Sequence, residues 1–311
     1  MTSIEAVHTY LPPTRVPVGE CLTAYGFSPA QIRMHERFYG FAEIRLDPRG
    51  SLADLLVDGA AGMPELRGRE HLVRYVLHAR TMPVVAPYPV SPVREAARRL
   101  GLAHATAFTV SQHACASGLL AVDLAGTLLA DDPDPDALAL VLTGEKAFTA
   151  SAQVITGTGV MGEGCAAVLV GAHGRRDRVL SYAAGTYGRF SAGPWMSDED
   201  GAAFRDDYPT MLAEVVRAAV DESGVDLERI VAILPHNVNR VSWLRVLRLL
   251  GIRSADRLVL DNLPRTGHCF AADSFAAYQV AREQGRLTPG DAYLMTSVGL
   301  GATVSAMVLV H

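Results

Sequence analysis

The strongest constraint on how this chain can fold is a likeness between two of its own segments. HACASGLLAVDLAGTLLADDPDPDALALVLTG, residues 113–144, can be laid over HCFAADSFAAYQVAREQGRLTPGDAYLMTSVG, residues 268–299. Both run through histidine and cysteine, small residues, an amphipathic helix, an acidic-proline turn and an apolar strand ending in glycine. The segments that follow also match in kind: GEGCAAVLVG (162–171) and GLGATVSAMVLV (299–310) each lead from glycines into an apolar strand. A duplicated strand-helix-strand unit predicts two related halves, residues 1–172 and 173–311, whose sheets pack together with helices on both sides. The overlay places Cys115 and His268 at equivalent helix starts, where they can converge on one central site.

Short β-like runs alternate with helical ones elsewhere: TAFTV, ALALVLTGEKA, RIVAILPH, VSWLRVLRLLG, DRLVLDN and DAYLMTSVG. This alternation predicts a layered α/β fold. With 311 residues, 49% of them hydrophobic, the chain can bury a large core. Its net charge of −5 gives no electrostatic case for binding nucleic acid. It has no apolar run long enough for a membrane span and no signal-like N-terminus, so a cytoplasmic protein is expected. The four cysteines, Cys21, Cys115, Cys165 and Cys269, lack the spacing of zinc sites or disulfide frameworks, so reduced thiols and no bound metal are expected. Basic charge is nearly all arginine, with Lys146 the single lysine.

A lone cysteine before an apolar helix is ordinarily packing. A helix N-terminus nevertheless favours thiolate over thiol, which makes Cys115 a candidate nucleophile if other groups support it. His236, in ILPHNVNRVSW, follows a short apolar strand and precedes an amphipathic helix; it reads either as a satisfied strand-end histidine or as a partner of Cys115.

Cys115 in HACASG, His236 in PHNVN, Gly267-His268 before small residues, and GLGATVSAMVLV together resemble the beta-ketoacyl-ACP synthase III family of the thiolase superfamily. The resemblance runs from the YLPPTRVP opening to the last strand. It implies a five-layer αβαβα fold, a homodimer and a cysteine acylated by a thioester. Carried over by position, Cys115 is the nucleophile and His236 the first catalytic histidine. The backbone amide of Cys115 and one from the Gly299-Leu300-Gly301 turn would form the oxyanion hole. Asn239 would contact substrate, and Tyr88, in PYPVSPVREAARRLG, would cross the dimer axis to floor the partner's acyl pocket. The helix after His236 carries Arg240, Arg245 and Arg248, which read as a solvated basic face or as a contact for an acidic acyl carrier protein. No cofactor is expected beyond the phosphopantetheine of an acyl carrier protein or coenzyme A substrate.

The chain departs from the resemblance in three places. His268 stands where the family has asparagine, giving Cys115, His236 and His268, an arrangement similar to the elongating ketoacyl synthases. Two imidazole N–H groups would hold the carbonyl of a malonyl-type extender as it loses carbon dioxide, and carbon-carbon condensation is the leading expectation. MGEGCAA keeps an acidic residue, Glu163, with Cys165 expected to pack. QIRMHERFYGFAEIRL does not clearly keep the family's clamp on the adenine of coenzyme A, although Arg33 or Arg37 is placed to substitute, which favours a carrier-bound donor over acyl-CoA. Two other readings follow. In an acyltransferase, His236 or His268 acts as general base toward an alcohol or amine, with Asp273 to orient one of them; on its position alone Asp273 reads as a helix-surface residue. A non-catalytic partner subunit of a ketosynthase is the third, against which stands the retention of Cys115.

Overall fold

The computed structural model describes residues 1–155 and 157–311. Nine strands form the main sheet: β1 Ser3–Tyr10, β2 Val73–Ala79, β3 Thr106–Val110, β4 Leu138–Gly144, β5 Cys165–Gly171, β6 Arg178–Thr186, β7 Ile230–Leu234, β8 Ala292–Gly299 and β9 Thr303–Val310. Read from the middle outward, one half runs β1-β5-β4-β2-β3 and the other β6-β9-β8-β7. In both halves the first two pairings are antiparallel and the next is parallel. The first half adds a second parallel pair, β2 with β3. At the matching place in the second half there is only a parallel bridge between Ile233 and Leu258. The predicted strand DRLVLDN is therefore reduced to a 3-10 turn, Ala255–Arg257, and one bridge. The two halves meet edge to edge, where Ser3 of β1 pairs with Arg178 of β6.

Six helices complete the layers: α1 Leu52–Ala61, α2 Pro92–Arg99, α3 Ser117–Ala130, α4 Asp198–Ser223, α5 Arg240–Leu249 and α6 Asp273–Glu283. Helix α3, SGLLAVDLAGTLLA, is apolar nearly all round, as a helix enclosed between sheets must be. It shares a core with α6 and with the inner faces of both halves, through Leu119, Val122, Phe275, Tyr278, Val141, Val168, Met295 and Met307. The outer face of the first half is covered by α1 and α2, and that of the second by α4 and α5. These are the five layers the sequence predicts. Among the described residues no helix is long and apolar enough to cross a membrane.

Helix α4 is longer than anything the periodicity drew attention to. Ser197 caps it by accepting the amide of Asp200, the first turn carries Asp198, Glu199 and Asp200, and Gly224 closes it in the left-handed conformation at φ 69°. Its apolar stripe of Phe204, Tyr208, Met211, Leu212, Val215 and Val216 packs on the sheet.

Candidate active site

Cys115 lies in a 3-10 turn, Ala114–Ala116, that leads into α3. Ala114 adopts φ 47°, a corner that side chains other than glycine rarely take, and it turns the chain from β3 into the central helix. The second half repeats this corner at Phe270, φ 53°, ahead of α6. Aligned on these corners, Cys115 matches Ala271, and Ser117 at the start of α3 matches Asp273 at the start of α6. At the strand ends, by contrast, Gly144 matches Gly299. The repeat thus slips by one residue, and the expected equivalence of Cys115 and His268 does not hold: His268 lies three residues before Ala271, on extended chain.

That extended chain is tied down from both sides. The His268 amide donates to the Val160 carbonyl, and the Gly162 amide to the His268 carbonyl, each at 2.9 Å. Gly267 holds φ 66°, and a Cβ there would come within 2.6 Å of the Val160 carbonyl oxygen, so only glycine lets the two segments approach. The backbone delivers the His268 ring to Cys115, with which it is hydrogen-bonded. Its Nδ1 is hydrogen-bonded to a carboxylate oxygen of Asp273. Asp273 is 1% exposed and also accepts the amides of Asn237 at 2.6 Å and Cys269 at 2.8 Å. The expected surface position of Asp273 is thus wrong. A first-turn aspartate normally faces solvent, but α6 begins inside the molecule, where the carboxylate finds backbone donors and a histidine. Burial works against a charged His268, but the Asp273 carboxylate and the Cys115 sulfur outweigh it and hold its pKa up to about 10.

His236 is placed differently. Its ring lies 6.2 Å from that of His268, centroid to centroid, between the rings of Tyr208 and Trp243. Its Nε2 is 2.8 Å from the Tyr208 hydroxyl, and the Trp243 indole N–H donates to its carbonyl at 3.0 Å. Burial, reinforced by the positive charge on His268, pushes its pKa well below the ordinary value and keeps the ring neutral. A cavity of about 30 Å³, about the size of one water, borders Cys115. Tyr208 and His268 line this cavity, together with Phe204, Val298 and Leu300, and His236 does not. The two histidines expected to act together are neighbours, and the Tyr208 hydroxyl, which lines the cavity, is hydrogen-bonded to His236 Nε2.

The remaining sequence candidates fall into place around this cluster. Gly299 abuts Cys115 so closely that a Cβ on it would sit 3.0 Å from the Cys115 amide nitrogen and 2.0 Å from the His113 carbonyl oxygen. Leu300 reaches the cavity wall, and Ser297 donates to the Cys115 carbonyl at 2.8 Å. Asn239 spends both ends of its amide on the fold: its oxygen caps α5 by accepting the Ser242 amide, and its nitrogen donates to the Thr158 carbonyl. A larger outer cavity of about 470 Å³ shares Ile155, Thr158, Phe204 and Leu300 with the inner one. Arg240, Arg245 and Arg248 are exposed on α5, and Arg245 borders a neighbouring groove that shares Thr158, Tyr208 and Val238 with the inner cavity. Tyr88 projects from the loop after β2 and is 99% exposed. Arg33 and Arg37 are exposed, and Cys165 packs against Gly59. Glu163 pairs with Lys146 at 2.9 Å in a buried ion pair. Sequence reading missed Tyr208 and the Thr81 hydroxyl, which lies 3.2 Å from the Cys115 sulfur. The Ser197-Asp-Glu-Asp cap would have located the helix of Tyr208, though not its meeting with His236.

Five layers, a repeated mixed-sheet topology and a cysteine at the start of a central helix define a thiolase-fold protein. Known proteins agree: the profile of the 3-oxoacyl-[acyl-carrier-protein] synthase III C-terminal family matches residues 220–311. A 3-oxopimeloyl-[acyl-carrier-protein] synthase of Rhodothermus marinus is 29% identical over 99% of this chain and 93% of its own. Among solved structures, the acyltransferase ChlB3 superposes with TM-score 0.86 at 21% identity, over 99% of this chain and 97% of that one. Beta-ketoacyl-[acyl carrier protein] synthase III of Thermus thermophilus does so with TM-score 0.82 at 19% identity, over 99% of both chains. The chain thus has the thiolase fold and is similar, along nearly its whole length, to ketoacyl synthase III-type proteins.

Proposed function

We propose that this protein is an acyl-thioester transferase in which Cys115 takes an acyl group from a thioester donor and His268, oriented by Asp273, delivers it to an alcohol or amine. The hydrogen bond between Asp273 and His268 Nδ1 carries this reading. It fixes the proton of a neutral ring on Nδ1, so the other nitrogen faces Cys115 as an acceptor. An acceptor is what a general base requires, whereas condensation requires a donor at that place.

The steps follow from the ionisation of the cluster. The Cys115 thiolate attacks the thioester carbonyl while the Cys115 amide and an amide of the Gly299–Gly301 turn receive the oxyanion. As the tetrahedral intermediate collapses, His268 gives its proton to the departing thiol. The neutral ring then takes the proton of the incoming hydroxyl or amine as that atom attacks the acyl-enzyme. Collapse releases the ester or amide, and the proton returns to the histidine–thiolate pair. The names of its relatives, a synthase acting on acyl carrier protein and an acyltransferase, span both chemistries open to such a cysteine. A carrier-bound phosphopantetheine donor suits the exposed arginines of α5, and a homodimer suits the exposed Tyr88. We place the enzyme in specialised or fatty-acid-like metabolism in the cytoplasm, without a further cofactor.

The test is product analysis after acyl-enzyme formation. Purified protein is loaded by a panel of acyl thioesters, checked by intact mass, and offered alcohols, amines or a malonyl thioester. Ester or amide formation without carbon dioxide supports the reading. Stoichiometric carbon dioxide with a new carbon-carbon bond would return the reaction to condensation, and the absence of any Cys115 adduct would leave a non-catalytic subunit.

A further inference from the structure

His268 is not the only group that meets the Cys115 sulfur. Residues 80–91 form the loop that leaves β2, and its start is tied to the end of β4 by one buried carboxylate. Glu145, 0% exposed, accepts the amides of Thr81 at 2.7 Å and Met82 at 2.6 Å. Burying a carboxylate is costly, and both oxygens here are spent on consecutive backbone donors of the loop. Burial raises its carboxyl pKa to about 7, with the Met82 and Thr81 amides and the charge on Arg80 pulling the other way. The neighbouring charged groups are committed elsewhere: Lys146 binds Glu163 and the Asp47 carbonyl, and the His78 ring binds the Gly144 carbonyl. The result is a fixed corner from which Thr81 Oγ1 lies 3.2 Å from Cys115 Sγ.

We propose that Thr81 supplies a second hydrogen bond to the reacting sulfur, independent of His268, and that Glu145 is the positioning residue that aims it. The proposal rests on Cys115 being the nucleophile. A hydroxyl that donates to sulfur stabilises thiolate over thiol, since a thiolate is the stronger acceptor. While the imidazolium offers charge and a proton, the hydroxyl offers a fixed donor that remains after His268 has given its proton away. The sulfur is thereby held in place through both acyl transfers.

The experiment is alkylation of the whole protein by iodoacetamide from about pH 5 to about pH 10, read at the Cys115 peptide by mass spectrometry. Thr81→Val keeps the shape of the side chain and loses the hydroxyl. It should slow alkylation of Cys115 at neutral pH about tenfold and move the midpoint of the profile up by about one pH unit. Thr81→Ser should restore the wild-type profile to within about twofold, which a purely packing role would not do. Glu145→Gln offers one good acceptor to two amides and should shift the midpoint the same way by less. Should Thr81→Val fail to fold, the Thr81→Ser and Glu145→Gln profiles still decide. A wild-type profile in Glu145→Gln removes Glu145 from the proposal. An unshifted Thr81→Val, or a Thr81→Ser as slow as Thr81→Val with both melting like wild type, overturns it for Thr81. If wild-type Cys115 is alkylated no faster than buried Cys21 and forms no acyl adduct, the nucleophile assignment fails instead, whatever the Thr81 variants show.

Discussion

The two halves lay down their strands in the same order and bend into their central helices at the same corner, yet they contribute different chemistry. The first half brings a sulfur to its helix start, with a threonine hydroxyl beside it. The second brings an imidazole and, at the first residue of its helix, a carboxylate. The second half also holds the other histidine, whose surroundings are opposite in kind: His268 faces a carboxylate and a thiol and is charged, while His236 faces a phenol and an indole and is neutral. A fold can therefore repeat faithfully while the site it builds is divided between unlike partners.

The sharpest break of that division is Cys115→Ala, which removes the first half's contribution. It should abolish the acyl adduct and lower turnover by at least about a thousandfold, with intact mass and product formation as the readouts. Replacing His268 tests the second half. Asparagine and alanine should both stall the acyl-enzyme, about a thousandfold slower in product release and with no carbon dioxide at any stage, since neither accepts a proton. Asparagine that sustains carbon-carbon condensation would instead show that a donor, not a base, is needed there.

Asp273→Asn should cost less in rate, about a hundredfold to a thousandfold, because the ring stays present but loses its fixed tautomer. It should also cost about 3 kcal/mol of stability in urea unfolding, because a buried partner of a charged ring is lost. Its pH signature has a definite sign. The pKa of folded His268, about 10, lies above the ordinary 6.5, so its stabilisation is complete below about pH 6.5 and drains away as pH rises toward 10. Wild-type stability should fall through that window, and the asparagine variant should show a flatter curve.

Tyr208→Phe is the mildest. Leaving His236 Nε2 unpaired should cost about 1–3 kcal/mol and change turnover by less than about tenfold. His236 carries the opposite pH sign: its folded pKa lies below the unfolded value, so the unfolded chain takes up a proton first as pH falls below about 6.5, and stability drops on the acid side. Unfolding midpoints across pH separate the two histidines by the direction of their slopes.

How far the sequence could be read follows the same division. The repeat made the layers legible, because apolar helices and strands recur with glycines at their ends, and Cys115, His236 and His268 stood out within it. Asp273 was misjudged because its depth depends on the neighbours of α6 and not on its own position in the helix. Tyr208 and Thr81 were invisible because each comes from a distant segment, and a tyrosine or threonine carries no local signature of the side chain it will meet. The single-residue slip between Ser117/Asp273 and Gly144/Gly299 could not be seen either, since an ungapped overlay reads equally well.

The corner at Ala114 has a counterpart at Phe270, but the cysteines sit on opposite sides of the two corners: Cys115 follows Ala114, whereas Cys269 precedes Phe270. Because the bend occurs in both copies, it does not depend on the thiol that follows it in the first. The tight turn beneath Cys115 is thus a feature of the architecture, and relatives with another residue in place of the cysteine would be expected to keep it.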